Sequence, residues 1–153
     1  IKNNYDIFIE ESGSFNINNV EITAKADRIE TKNDIARIID YKTGTPPSRA
    51  QILNCINLQL LIEALILKHN GFRNAKAGNI DLIEYMSIKN GNGTIINNEK
   101  DFELNQLIIK TEKFMKYLTE YFNNEENGYI PTGKDNDKND YLHLSRFEEW
   151  VYN

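Results

Sequence analysis

At 153 residues, with 40% hydrophobic and 27% charged positions, the chain has the size and composition of one soluble globular domain spanning residues 1–153. A net charge of −5 and a pI of about 5.1 argue against a protein that grips nucleic acid through a broad basic face, though not against one that engages phosphate locally through metal ions. The longest apolar run, residues 58–67, is interrupted by Gln59 and Glu63 and falls short of the roughly 18–20 residues a membrane span requires. A lone Cys55 can build neither an intramolecular disulfide, nor a cysteine-rich zinc site, nor an iron–sulfur cluster, so the cytoplasm is the expected compartment.

Residues 5–10 have strand-like composition, and after a polar stretch containing Gly and Asn a second such run covers residues 20–30. A third covers residues 35–42, so the second and third read as a hairpin turning through residues 31–34. If the turn is centred between Lys32 and Asn33, Asp27 faces Ile38 and Asp40 is its diagonal neighbour on the same face, roughly 7–8 Å away. A turn one residue longer or shorter would send Asp27 to the other side of the sheet.

The stretch Thr43-Gly44-Thr45-Pro46-Pro47-Ser48 breaks the strand pattern, and Ser48 suits the N-cap of a helix continuing to about His69, with Gly71 just past its end. That helix is apolar on most faces from Leu58 onward and is expected to be buried. Residues 80–88 return to strand composition and stop at Asn90-Gly91-Asn92-Gly93, a turn by its chemistry. A second long helix is predicted for residues 101–122, with Leu104, Leu107, Ile108, Met115, Leu118 and Phe122 at helical spacing. Residues 123–139 are polar and turn-rich, and a short aromatic helix over residues 144–152 closes the chain. This order predicts an α/β layered domain, a mixed central β-sheet flanked by α-helices.

No GxxxxGK[ST], HExxH, GxSxG or CxxC motif is present, and His69 and His143 suit surface or capping roles near helix ends. What remains is Ala24-Lys25-Ala26-Asp27-Arg28-Ile29 followed by Ile38-Ile39-Asp40-Tyr41-Lys42-Thr43-Gly44. Asp40 and Lys42 stand two apart on a strand and so share a face. The bland reading is an ion pair on a solvated sheet surface. Against it stand a second carboxylate, Asp27, on the adjacent strand, and the sharp exit at Gly44-Thr45-Pro46-Pro47 beyond the sheet end, where α/β proteins tend to place sites. Two carboxylates can hold Mg²⁺, or Mn²⁺ in its place, and a nearby lysine can position water or neutralise charge growing on a phosphate. Gln59 and Glu63 share a helix face with Gln51 and Cys55, as the polar stripe of a buried helix or as groups that support the metal centre or contact DNA.

Asp27 followed after a hairpin by Asp40-Tyr41-Lys42 resembles the D…(D/E)xK core of the PD-(D/E)xK superfamily, and IIDYKTG is similar to its RecB-like version. Where RecB-like nucleases carry Gln-x-x-x-Tyr, this chain has Gln59-Leu60-Leu61-Ile62-Glu63, and together with DYKTGTPPS and the closing Tyr141-Leu142-His143-Leu144-Ser145-Arg146 it resembles the nuclease part of the alphaproteobacterial-type AddB group. The resemblance implies a restriction-endonuclease-like core with Asp27, Asp40 and Lys42 catalytic. The metal would be held by Asp27, Asp40 and the main-chain carbonyl of Tyr41, and Gln59 and Glu63 would support the site or contact DNA. It further implies a Mg²⁺-dependent DNA exonuclease module without an iron–sulfur cluster, acting in a helicase–nuclease that processes double-strand breaks, with DNA and an AddA-like subunit as partners and no membrane. The chain then reads as a fragment of a longer protein, with weak activity or none on its own. The rival reading is an inactive nuclease-fold domain that binds DNA or a helicase partner without cutting.

Overall fold

A computed structural model describes residues 5–98 and 103–124 of the chain. The chain divides into two compact units, Ile1–Glu120 and Tyr121–Asn153, and the sheet with its first two helices lies in the former. In chain order the elements are β1 (Asp6–Ile17), β2 (Val20–Lys32), β3 (Ile35–Lys42), α1 (Arg49–Leu53), α2 (Gln59–Lys68), β4 (Asn79–Ser87), β5 (Gly93–Asn97) and α3 (Glu103–Asn123). The strands lie side by side in the order β1-β2-β3-β4-β5, antiparallel except for the parallel pair β3–β4. Parallel neighbours need a crossover, and α1 and α2 supply it. The result is the expected mixed sheet flanked by helices, a restriction-endonuclease-like core.

The β1–β2 and β2–β3 hairpins each close on two residues in left-handed conformation, Asn18-Asn19 (φ 50° and 64°) and Asn33-Asp34 (φ 50° and 65°). Asn and Asp tolerate this region better than other side chains, and such turns match the twist of the strands they join. The second turn corrects the expected register by two residues: Lys32 pairs with Ile35, Ile29 with Ile38 and Arg28 with Ile39. Because the slip is even, every side chain keeps its face.

β1 runs on past residue 10, where the polar stretch had suggested a loop, because Gly13, Phe15 and Ile17 alternate onto the core side. A side chain at Gly13 would sit 2.6 Å from Phe72 Cδ1, so glycine here lets the 72 segment bridge onto β1. β5 was not foreseen either. Its first residue belongs to the Gly-Asn turn, and only glycine fits there, since a Cβ at Gly93 would lie 2.5 Å from the Tyr85 carbonyl oxygen.

The single helix expected from Ser48 to His69 is broken in two. Ser48 does cap α1, its Oγ accepting from Gln51 N–H at 3.3 Å while Gln51 Oε1 accepts from Ser48 N–H at 2.8 Å. Asn54-Cys55-Ile56-Asn57 then leaves the helix, with Cys55 at φ 55° and the N–H groups of Ile56 and Asn57 both donating back to the Gln51 carbonyl. These are weak helix formers, and the break lets α2 start in a new direction. Gln51 and Cys55 therefore do not share a helix face with Gln59 and Glu63. At its far end α2 closes in a Schellman motif. Asn70, not Gly71, takes the left-handed position at φ 56°, Gly71 N–H donates to Ile66 O at 2.8 Å, and Asn70 N–H donates to Leu67 O at 2.9 Å.

From Leu60 to Leu67 every residue of α2 except Ile62 is buried, and the helix packs against β1, β2, β3 and β4. Ile29, Ile38 and Ile83 of those strands and Ile96 of β5 are fully buried in the same core, each worth about 1.5–3 kcal/mol of transfer free energy. Leu104, Leu107 and Ile108 of α3 complete this core, and Lys68 at the end of α2 pairs with Glu112 of α3 at 3.1 Å. Among the described residues no helix is long and apolar enough to cross a membrane. The closing helix predicted for residues 144–152, with Tyr141, His143 and Trp150, lies outside the described residues, as does the polar segment from residue 125.

Candidate active site

The β1–β2 hairpin changes its inward face part-way along. Ala24 and Ala26 turn to the core in the first half of β2, whereas Ile29 and Thr31 do so in the second. The change falls where Glu10 adopts φ 56° and the ladder skips a rung, passing from Ile9–Arg28 to Glu11–Ala26 and leaving Glu10 and Asp27 unpaired. Asp27 thus sits at a corner of the hairpin, freed from the ladder on the β1 side. Continuing the β2–β3 pairing by one residue sets it opposite Asp40, and its Oδ2 accepts a hydrogen bond from the Tyr41 N–H at 2.9 Å. The structure therefore brings the Tyr41 N–H to Asp27, and that contact fixes the first carboxylate on the second strand.

Asp40 is only 3% exposed, on the face of β3 that carries Ala36 and Ile38. Its Oδ1 accepts from Gln59 Nε2 at 2.5 Å, and its Oδ2 lies 2.9 Å from Lys42 Nζ as an ion pair without a directed hydrogen bond. Lys42 Nζ also donates to Gln59 Oε1 at 2.8 Å, so the Gln59 amide grips both members of the Asp–x–Lys pair. Gln59 Nε2 reaches Glu63 Oε1 as well, at 3.4 Å. Asp27, Asp40, Lys42, Gln59 and Glu63 thus converge on one region, where the C-terminal end of β3 runs beside the middle of β2. The bland reading of Asp40 and Lys42 as an ion pair on a solvated face fails, because Asp40 is buried under the start of α2.

One turn beyond Gln59, Glu63 is 1% exposed, and its Oε2 has no hydrogen-bond partner. Burial pushes its carboxyl up to about 8, against the hydrogen bond from Gln59; the nearby Asp40 and Asp27 push it further, and Lys42 opposes them. An acid so placed binds its proton near neutral pH unless a cation arrives.

Two residues that sequence reasoning missed hold α2 over this site. Leu58, at the N-cap, has no side chain to cap with, and Tyr85 of β4 takes over: its hydroxyl accepts from Leu60 N–H at 3.2 Å and donates to Asn57 Oδ1. Tyr85 pairs with Asp40 across the parallel β3–β4 ladder, and its ring lies 5.4 Å from Lys42 Nζ, within cation–π range. Burial pushes its phenol up to about 12, so it stays a hydroxyl donor. The only signal in the sequence was a tyrosine inside a buried strand, whose hydroxyl needs a polar partner.

Among the described residues, no three acidic, histidine or cysteine side chains stand ready-made as a metal cage. Yet the donors present are carboxylate oxygens, the chemistry that suits a hard divalent cation such as Mg²⁺ or Mn²⁺. Of those oxygens, Glu63 Oε2 is buried without a hydrogen bond, and Asp40 Oδ2 is met only by the Lys42 ammonium at 2.9 Å. The donor types therefore fit a hard divalent ion.

Residues 3–135 match the family profile of the PD-(D/E)XK nuclease superfamily. An uncharacterized protein of Rickettsia conorii is 31% identical over 173 aligned residues, covering 95% of this chain and 20% of that protein. One of Rickettsia bellii is 32% identical over 162 residues, covering 94% and 19%, and one of Rickettsia typhi is 39% identical over 101 residues, covering 62% and 12%. The chain spans a fifth or less of the length of these curated relatives. With the profile covering most of the chain, and with a mixed five-stranded sheet that sets an Asp–x–Lys strand beside a strand carrying a second aspartate, the chain belongs to the PD-(D/E)XK nuclease superfamily.

Proposed function

We propose that this domain is a divalent-metal-dependent deoxyribonuclease, an exonuclease module of an AddB-like helicase–nuclease that trims broken DNA ends beside an AddA-like subunit. The observation that carries the reading is the convergence of Asp27, Asp40 and Lys42, with Gln59 gripping the last two. Asp27, Asp40 and the carbonyl of Tyr41 would hold the metal, which when bound lowers the pKa of water and polarises a phosphate oxygen.

The chain's own residues do the rest. The Lys42 ammonium, held at 2.9 Å from Asp40 and at 2.8 Å from Gln59, presents a fixed positive charge to the scissile phosphate and donates hydrogen bonds to its oxygens or to the attacking water. The Tyr41 N–H keeps the Asp27 carboxylate turned toward Asp40. No side chain forms a covalent intermediate.

The test is cleavage of linear DNA in Mg²⁺ by the full-length protein and its Asp40→Ala and Lys42→Ala variants. Each substitution should lower the rate by about 100-fold or more with the fold retained. Wild-type cleavage by Asp40→Ala refutes the assignment. The net charge of −5 favours a second reading, a nuclease-fold module that binds DNA or a helicase partner without cutting. Metal-independent DNA binding with no cleavage by the wild-type protein would select it.

A further inference from the structure

Three carboxyl groups, not two, lie near enough to act on one another here, with Lys42 paired to one of them, Asp40, at 2.9 Å. Glu63 comes to Asp27 and Asp40 from α2 rather than from the sheet, and it is the most awkward of the three: 1% exposed, one oxygen without a partner, the other reached only by a long 3.4 Å contact from Gln59. Burying an acid this way is costly, and the remaining residues of α2 from Leu60 to Leu67 are apolar, so packing alone does not call for it.

The Gln59 amide explains how the cluster holds together without an ion. Its Nε2 stands 2.5 Å from Asp40 Oδ1 and 3.4 Å from Glu63 Oε1, so one neutral donor bridges a strand carboxylate and a helix carboxylate, as a cation would. The separation of Gln59 and Glu63 by four residues puts both on one stripe of α2, facing β3. With all three acids ionised, the single ammonium leaves the cluster two positive charges short, which a divalent ion supplies.

We propose that Glu63 is a third oxygen ligand for the divalent cation of this site, and that the Gln59 amide holds the cation's place between Asp40 and Glu63 until it binds. The proposal rests on the nuclease reading for the existence of the metal site, and adds a ligand and a placeholder to it. Glu63 then has two arrangements: bridged by an amide in the free chain, and bound through oxygen in the loaded one. Helix α2, capped by the Tyr85 hydroxyl, carries both groups; on loading, Gln59 Nε2 gives up its carboxylates while Gln59 Oε1 keeps the Lys42 ammonium.

The experiment is a calorimetric titration of Mn²⁺ alone into the full chain and its Glu63→Gln and Gln59→Ala variants. Glu63→Gln keeps the shape and the contact to Gln59 and should weaken Mn²⁺ binding by about tenfold or more. Gln59→Ala removes the competing donor and should bind Mn²⁺ at least as tightly as the wild type. Unchanged affinity in Glu63→Gln overturns the ligand role, and a tenfold loss in Gln59→Ala overturns the placeholder role. Should Glu63→Gln fail to fold, the ¹³C resonance of the wild-type Glu63 carboxyl decides: a shift on adding Mg²⁺ supports ligation, and an unmoved signal refutes it. Glu63-dependent Mn²⁺ binding in a protein that cuts no DNA supports this assignment while sinking the nuclease reading. DNA cleavage with Mn²⁺ affinity unchanged in Glu63→Gln does the reverse.

Discussion

The Tyr85 hydroxyl accepts the Leu60 N–H at 3.2 Å, so a residue of the central sheet caps the helix that carries Gln59 and Glu63. The same hydroxyl donates to Asn57, and Tyr85 is the register partner of Asp40. One phenol therefore ties β4, the strand beside Asp40, to the start of α2.

Tyr85→Phe keeps the ring and deletes only the hydroxyl, leaving the Leu60 N–H and Asn57 Oδ1 without it. Loss of a cap and a buried hydrogen bond should cost about 1–2 kcal/mol, measured by urea unfolding. DNA cleavage should fall more than stability alone accounts for, because Gln59 is the first residue of the loosened helix. Wild-type stability in Tyr85→Phe would show that the cap contributes nothing.

The buried Glu63 makes stability depend on pH in an unusual direction. Its carboxyl rises from an ordinary 4.5 to about 8 on folding, so between those values the folded chain keeps a proton that the unfolded chain has released. Stability, fully present below pH 4.5, should decline as pH rises toward about 8 and level off above it, by an amount on the order of a few kcal/mol. Urea unfolding in metal-free buffer at about pH 5 and about pH 8 measures the drop. Glu63→Gln, which carries no proton to lose, should flatten it, and an equal slope in the variant would assign the effect elsewhere.

Two glycines should differ in how they tolerate alanine. At Gly71 a methyl would meet the Ser14 backbone oxygen at 2.1 Å, in the segment where Ser14 N–H donates to Gly71 O at 3.2 Å. At Gly13 it would meet the Phe72 ring at 2.6 Å, and a ring can shift further than a backbone can. Gly13→Ala should cost about 1–3 kcal/mol and Gly71→Ala more, read from thermal or urea unfolding. A Gly71→Ala chain as stable as the wild type would mean that the 71–74 segment can leave β1 without penalty.

Turn length is the most sensitive control of the site. One glycine inserted between Asn33 and Asp34 would shift the β2–β3 register by one residue and drive Asp27 to the face opposite Asp40. Mn²⁺ binding and DNA cleavage should both disappear, even if alternative pairing preserves the sheet by circular dichroism. Retained Mn²⁺ affinity would show that Asp27 is dispensable.

Much of this was legible in the sequence because it depends on near neighbours. Strand alternation fixed that Asp40 and Lys42 share a face, and the even length of the Asn33-Asp34 turn kept Asp27 with them although the expected register was off by two residues. The apolar run after Leu58 announced a buried helix, and Gln59 and Glu63 stood out as its polar exceptions. Pairing distances, by contrast, were not readable: the corner at Glu10 depends on how a long hairpin bends over α2, and a lone Glu carries no signal for a positive φ.

The sequence by itself determined the superfamily, through the likeness of its D…DxK motif, and also the strand that carries Asp40 and Lys42 and the identity of the polar residues on α2, which follow from local periodicity. Only the tertiary structure decided that the helix breaks at Cys55, that Tyr85 caps its second half, and that Glu63 lies buried beside Asp40 with an unpartnered oxygen. The break is made by a local turn back to Gln51 that composition alone did not announce, the cap joins residues 25 apart, and the setting of Glu63 rests on burial, which belongs to the packed layers rather than to any segment of the chain.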